Sequence, residues 1–433
     1  MFERTTSDPG QCDHATETGP AGSSGSAGRS ADRAGFWGAG HRPTLFAAFL
    51  YFDLAFMVWV LLGPLAPDIA RELGLNPAQK GLMVALPTLA GAVLRIVLGL
   101  FVDRIGPRLT GAIAQVLVIA GLLTAWMIGV SSFKGTLALG FVLGIAGASF
   151  AVALPLASRW YPPEHQGKAM GIAGMGNSGT VLAALFAPSL AHTFGWNAVF
   201  GLVTIPLAIV LLLYLIMAKD PPGAPSAKPF TAYFDPLRTG DAWWFMFLYG
   251  VTFGGFSGLA ASLSIYFTDQ FALSTIVAGY CTAGCVFAGS LVRPVGGALA
   301  DRFGGVRTLS IVYLVAAMAL IGVSFGPGSV AAALVLFVMA MLALGTGNGA
   351  VFQLVPQRFP KEIGVMTGLV GMAGGVGGFY LASSLGFSRQ AVGTYQPGFL
   401  IFAGLALVAL AGLTAVKRRW RSRWDVAAHG VRI

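Results

Sequence analysis

Between residues 44 and 416 the chain is a succession of apolar stretches with short polar interruptions, each stretch long enough to cross a hydrocarbon core. Crossing takes about 20 residues of helix. The pattern predicts twelve spans, at residues 44–66, 80–102, 109–130, 135–159, 168–194, 196–218, 242–267, 275–300, 306–325, 330–357, 363–387 and 397–416. Residues 1–43 are rich in Gly, Ser and Ala with mixed charges and no apolar run, which reads as a disordered tail. They carry no cleavage-site pattern, so no signal peptide is expected. Residues 219–241 read as a polar linker and 417–433 as a basic tail. The fold class expected is an all-α membrane protein, with the lipid bilayer as its surroundings.

Composition agrees, at 56% hydrophobic and 10% charged residues, against roughly 25% charged in soluble domains. A net charge of +10 would suit a nucleic-acid partner, but the charges follow the spans. Arg104, Arg108, Arg159, Lys168, Lys219, Lys228, Arg238, Arg302, Arg307, Arg358 and Lys361 share one side with the basic residues of both tails. Arg71, Lys80, Lys134 and Arg389 lie on the other. The positive-inside rule then puts both termini in the cytoplasm, in a protein of the cytoplasmic (inner) membrane. No nucleic-acid partner is expected. Arg95 and Arg293 remain, inside spans.

Other chemistry is sparse. Cys281 and Cys285 share a helix face and read as small packing residues, and Cys12 lies in the tail. His14, His41, His165, His192 and His429 fall in tails or near loops. There is no phosphate-binding loop, zinc motif or hydrolase elbow, so neither an enzyme, a metal nor a cofactor is expected.

The second predicted span reads Gly91-Ala-Val-Leu-Arg95-Ile-Val-Leu-Gly99 and runs on to Asp103-Arg104 and Gly106. The eighth reads Gly289-Ser-Leu-Val-Arg293-Pro-Val-Gly-Gly297 and runs on to Asp301-Arg302 and Gly304, every position offset by 198. Phe52 and Phe56 answer Tyr249 and Phe253, and Gly171 and Gly174 answer Gly368 and Gly371, at an offset of 197. Two homologous halves follow, 44–218 and 242–416. Six spans each bring both halves in from the same side, as parallel repeats with a site expected between them at mid-membrane.

An arginine at a helix centre costs about 2.5–3.5 kcal/mol on insertion scales. Arg95 and Arg293 each lie eight residues from an aspartate at the span end, about 12 Å at 1.5 Å per residue. That depth argues against snorkelling and for a use inside the bundle. Glycines four residues to either side suggest a slot beside each guanidinium. The planar fork suits a planar oxyanion: nitrate, nitrite, bicarbonate or a carboxylate. Gly171, Gly174, Gly176 and Gly179 with Asn177, and Gly371, Gly374 and Gly375, read either as close helix packing or as room for a small ion, with the Asn177 amide a donor to it.

The loop patterns Gly99-Leu-Phe-Val-Asp103-Arg104-Ile-Gly106-Pro-Arg108 and Gly297-Ala-Leu-Ala-Asp301-Arg302-Phe-Gly304 resemble the signature of the major facilitator superfamily. The resemblance implies that Asp103, Arg104, Asp301 and Arg302 act as a gating latch. The two glycine-rich segments, the buried arginines, Tyr249-Gly-Val-Thr-Phe253, Phe56-Met-Val-Trp59 and Ala-Ser-Phe150 resemble the nitrate/nitrite porter family (NarK type) within it. That likeness implies that Arg95 and Arg293 clamp the anion, that Phe56, Phe150 and Phe253 wall it, and that Tyr249 and Asn177 hydrogen-bond to it.

Asp53 is a carboxylate well inside the first span and reads either as a proton site, with the proton a co-substrate, or as a fixed counterion for an arginine. Compact loops at 192–195 and 358–362 lean toward nitrate–proton symport, and two facing arginines lean toward nitrate–nitrite exchange. A porter of formate or bicarbonate remains a same-fold alternative. A membrane anion receptor is a different one, which the short tail after residue 416 disfavours.

Overall fold

The computed structural model describes residues 36–221, 231, 234–359 and 362–423. The expected tails at 1–35 and 424–433, Cys12, His14, His429 and most of the linker lie outside the described residues. The chain divides into two units, Met1–Gly40 and His41–Ile433. In the first, Phe36–Gly38 form one 3-10 turn in which the Phe36 and Trp37 rings meet edge to face at 5.1 Å.

Among the described residues the second unit holds twelve helices long and apolar enough to cross a membrane, as the hydrophobic pattern predicts. They are α1 (Arg42–Leu73), α2 (Pro77–Ile105), α3 (Pro107–Ile128), α4 (Phe133–Ser158), α5 (Lys168–Phe194) and α6 (Trp196–Met217). The second half supplies α7 (Gly240–Phe271), α8 (Thr275–Phe303), α9 (Gly305–Ser324), α10 (Val330–Arg358), α11 (Gly364–Val392) and α12 (Gln396–Trp420). There is no β-strand among the described residues. Ile113, Leu117, Ile209, Leu212, Ile311 and Met318 stand exposed on α3, α6 and α9, whereas α7 is buried on nearly every face. An apolar belt of that extent belongs in lipid.

Turn chemistry repeats between the halves. Ser132 and Ser329 cap α4 and α10, each hydroxyl accepting the amide three residues on. Gly106 (φ +86°) and Gly304 (φ +94°) turn α2 into α3 and α8 into α9. That conformation is strained for any other residue, which is why both loop signatures carry glycine at this turn.

The halves meet where α2 packs on α11, α1 on α7, and α5 on α8. At the end away from the basic loops, contact is backbone to backbone. A methyl on Gly81 would lie 2.8 Å from Gly386 Cα, and one on Gly63 2.8 Å from Ala261 O. Lys80 Nζ of the first half there donates to Asp269 Oδ2 of the second at 2.8 Å, and the Tyr395 hydroxyl donates to the same oxygen at 2.8 Å. At the basic end the halves stand apart. Gly171 and Gly174 of α5 and Gly364 and Gly368 of α11 have no atom within 4 Å of a Cβ position. The cleft between the halves therefore opens toward the basic loops and is closed at the other end.

The ion pairs at the basic end lie within halves. Asp103 accepts from Arg159 Nη2 at 2.9 Å. In the second half the corresponding arginine, Arg358, donates to Asp241 at 2.6 Å instead of to Asp301. Asp241 also accepts from Trp420 Nε1 at 2.9 Å and pairs with Arg419 at 3.5 Å. Asp301 and Arg104 are exposed without a partner among the described residues, and Arg302 lies over the Phe303 ring at 5.3 Å.

A half-buried ion pair worth about 1 kcal/mol shifts a two-state equilibrium about fivefold. With Cys12, Cys281 and Cys285 removed and Gly171→Cys as reporter in the open cleft, Asp269→Asn is expected to slow maleimide labelling by about threefold to fivefold. Exchanging the charges, Lys80→Asp with Asp269→Lys, restores the rate. An unchanged rate in Asp269→Asn shows that the pair does not hold the halves.

Candidate anion site

Three of the side chains singled out from the sequence, Arg293, Phe150 and Asn177, sit at helix interruptions near the middle of the bundle. Pro294 has no N–H to continue a helix, so α8 breaks at Val292 and restarts with Arg293 as its first residue. In α4 the break at Ala148 and Ser149 makes Phe150 the first residue of the next segment. In α5 the 3-10 turn Met175–Ser178 carries Asn177. Arg95, by contrast, stands on an unbroken stretch of α2.

Arg95 is 2% exposed. Its Nη1 donates to the carbonyl of Gly371 on α11, across the interface, and its Nη2 to Gly147 O of α4 at 3.0 Å. Nε has no partner. The guanidinium lies over the Phe150 ring, 4.9 Å from its centre. Arg293 is half-buried; its Nη2 donates to the Tyr249 hydroxyl at 3.3 Å, and its Nη1 is buried without a partner. Its guanidinium lies 5.8 Å from the centre of the Phe352 ring. Each arginine thus rests on an aromatic face of its own half, a favourable place for a cation.

The rings form one continuous wall across the two halves. Tyr249 stacks on Phe253 (5.2 Å, 5°), and Trp59 stacks on the same ring (6.2 Å, 9°). Phe56 meets Phe253 at 6.5 Å, Phe352 meets Tyr249 edge-on at 4.9 Å, and Phe150 meets Phe352 at 6.0 Å. Both guanidiniums act electrostatically on Tyr249, and Arg293 on Arg95. No carboxylate pairs with either arginine among the described residues. Two like charges within each other's field, unneutralised and with unused N–H groups, constitute a site for an anion.

Asp53 is buried and accepts from the Ser178 hydroxyl at 2.7 Å and from the Gly179 amide. No arginine pairs with it, so the counterion alternative is not realised. Asn177 is 1% exposed, and its carboxamide oxygen has no partner.

The glycines have divided duties. Gly371 makes room for the head of Arg95, with a methyl there 2.7 Å from Nη1, and Gly374 clears the rings of Tyr249 and Phe253. Gly375 admits Thr88 and Ala92 of α2, and Gly176 and Gly179 admit the α1 backbone at Asp53. Gly171 and Gly174 face the open cleft. The slot expected beside each arginine is absent on one flank: Gly91 is filled by the Trp59 indole and α4, and Gly289 by Met341 O and Phe256.

Two wall residues were not among the expected ones. Trp59 donates its indole N–H to Pro87 O at 2.8 Å, which fixes the ring. Phe352 was hidden by a shift of register: Gly147-Ala-Ser-Phe150 answers Gly349-Ala-Val-Phe352 at an offset of 202, four residues away from the 198 of the arginines.

A charged site enclosed between two six-helix halves is the arrangement of a secondary transporter. The family model for the Major Facilitator Superfamily matches residues 46–382. The chain is 35% identical over 362 residues to a probable nitrate/nitrite transporter, NarK2, of Mycobacterium tuberculosis, covering 82% of this chain and 91% of that one. It is 32% identical to a nitrite extrusion protein of Bacillus subtilis, covering 85% and 92%. The crystal structure of a bacterial homolog of the human lysosomal transporter Spinster, inward-facing and occupied, shares the fold with a TM-score of 0.66 at 20% identity, covering 88% and 98%. The chain belongs to the Major Facilitator Superfamily and, within it, to the nitrate/nitrite porter family of the NarK type. It is an integral membrane protein and not an enzyme.

Gly371→Ala displaces a flexible arginine head and not backbone. It is expected to leave the melting temperature near that of the parent while abolishing stabilisation by added small oxyanions. Gly377→Ala, whose methyl would strike the Gly250 carbonyl, is expected to cost about 1–3 kcal/mol of stability instead. Thermal melts with and without the anion separate the two.

Proposed function

We propose that this protein carries nitrate, and nitrite with it, across the cytoplasmic membrane by alternating access. The halves 44–218 and 242–416 would rock about an anion held between Arg95 and Arg293. The observation that carries this reading is the pair of guanidiniums inside the bundle, with no carboxylate beside either among the described residues and with buried, unpaired N–H groups, Arg95 Nε and Arg293 Nη1. A small planar oxyanion supplies acceptors for both, with Phe56, Phe150, Phe253 and Phe352 as its wall. The Tyr249 hydroxyl, which accepts from Arg293, keeps its own proton free to donate to the anion. The nitrate/nitrite transporter and the nitrite extrusion protein among its relatives support the same substrate. With the basic loops and both termini in the cytoplasm, the open cleft is the cytoplasmic one.

Asp53 supports coupling to protons: it is buried, not neutralised by a cation, and bonded to the α5 turn that carries Asn177. Protonation would loosen α1 from that turn as the anion enters. The second reading, nitrate–nitrite exchange, is favoured by Arg95 itself. Its fork is bonded to carbonyls of both halves, and those bonds oppose rocking unless an anion takes them over.

In proteoliposomes, nitrate uptake is expected to accelerate when an inward proton gradient is imposed, with no anion inside; a strict requirement for internal nitrite establishes exchange. Asp53→Asn is expected to remove the response to the gradient, and an intact response sinks the proton role. Arg95→Lys and Arg293→Lys keep the charge and lose the fork, so KM for nitrate is expected to rise about tenfold or more in each. Unchanged KM in both sinks the clamp.

A further inference from the structure

The second half contains a buried polar side chain that the arginine clamp does not use. Asn348 lies on α10, 1% exposed. Its carboxamide oxygen is buried without a partner, and its amide nitrogen has none among the described residues either. An unpaired carboxamide is costly inside a protein and more so inside a membrane bundle, where asparagines ordinarily bond across to a neighbouring helix. Asn348 has neighbours close by and bonds to none of them.

Its position on α10 is defined by the residues around it. Gly345 and Gly349 press on the α8 backbone at Gly289 and Arg293, and Gly347 presses on Thr252 of α7. Phe352, four residues after Asn348 and so on the same face, lies beneath the Arg293 guanidinium and against Tyr249 and Phe150. Asn348 is thus on the face of α10 that the site occupies, one turn deeper than Phe352. Among the other buried groups of this half that lack partners are Arg293 Nη1, Ser290 Oγ one turn before it, and Thr252 Oγ1 one turn after Tyr249. The first half offers Arg95 Nε and the carboxamide oxygen of Asn177. Beside the ring wall, each half therefore presents a guanidinium and a carboxamide with hydrogen-bonding capacity unspent.

We propose that Asn348 donates its amide to the anion oxygen that the two arginine forks and the Tyr249 hydroxyl leave uncovered, and that it sets the preference for trigonal nitrate over bent nitrite. This rests on the nitrate reading above. Nitrite has two oxygens, which the two forks and Tyr249 cover. Nitrate has a third, which calls for a further donor. A donor matched to that oxygen favours the substrate that has it and is idle toward the one that lacks it.

The test is transport of both anions by the full-length protein in proteoliposomes. Asn348→Ala is expected to raise KM for nitrate about tenfold or more while nitrite changes less than about twofold. Asn348→Ser, smaller and with one hydroxyl, gives an intermediate nitrate KM and serves where the alanine variant folds poorly. Melting temperatures taken in parallel report folding separately. Unchanged KM for both anions overturns the proposal, and so does an equal rise for both, which is what a purely structural asparagine produces. A parent protein that moves neither anion overturns the nitrate reading and this inference with it.

Discussion

Two guanidiniums held within each other's field, in a bundle otherwise built to exclude charge, are the constraint around which this molecule is organised. Neither has a carboxylate beside it, and the protein holds them by softer means: an aromatic face under each, backbone carbonyls for Arg95 and a phenol for Arg293. These partners hold the cations without neutralising them. The positive field stays unspent, and the enclosing helices bear its cost until an anion arrives.

That cost is spread through the packing. α11 places Gly371 against Arg95, Gly375 against α2 and Gly377 against α7 within two turns, so one helix touches the site and both neighbouring helices through nearly bare backbone. Surfaces without side chains slide more readily than interdigitated ones, which interlock. The same helix is free of neighbours at Gly364 and Gly368, where the cleft opens. Closing the open end and opening the closed one thus requires of α11 a change in what its glycines face, with no unfolding of the helix.

Much of this was legible along the chain. Lipid demands continuous apolar runs, so twelve spans could be counted, and the repeat identified Arg95 with Arg293 before any coordinates. Span ends were less legible. α1 runs on to Leu73 through Pro67, Asp68 and Arg71, where only one face is apolar and a count of hydrophobic residues loses the helix. Asp241 was read as linker because it is charged. It is instead the buried hub of three side chains from α10 and α12, a role that depends on partners more than a hundred residues away. Phe352 escaped because the two halves keep register at their second helices and lose it at their fourth. The flanking glycines Gly91 and Gly289 were read as space for ligand, and distance along one helix could not reveal that Trp59 and Met341 fill it.

The hydrogen bonds of Arg95 to Gly371 and Gly147 bear on how the empty carrier meets chloride, an anion that many aqueous compartments hold in abundance. Taking the fork away from two carbonyls requires a replacement that offers two directed acceptors at once. A spherical halide offers charge without direction, and it would leave at least one N–H and one carbonyl stranded in a dry interior. The backbone would thus act as a built-in competitor, one that an oxyanion can replace bond for bond and a monatomic anion cannot.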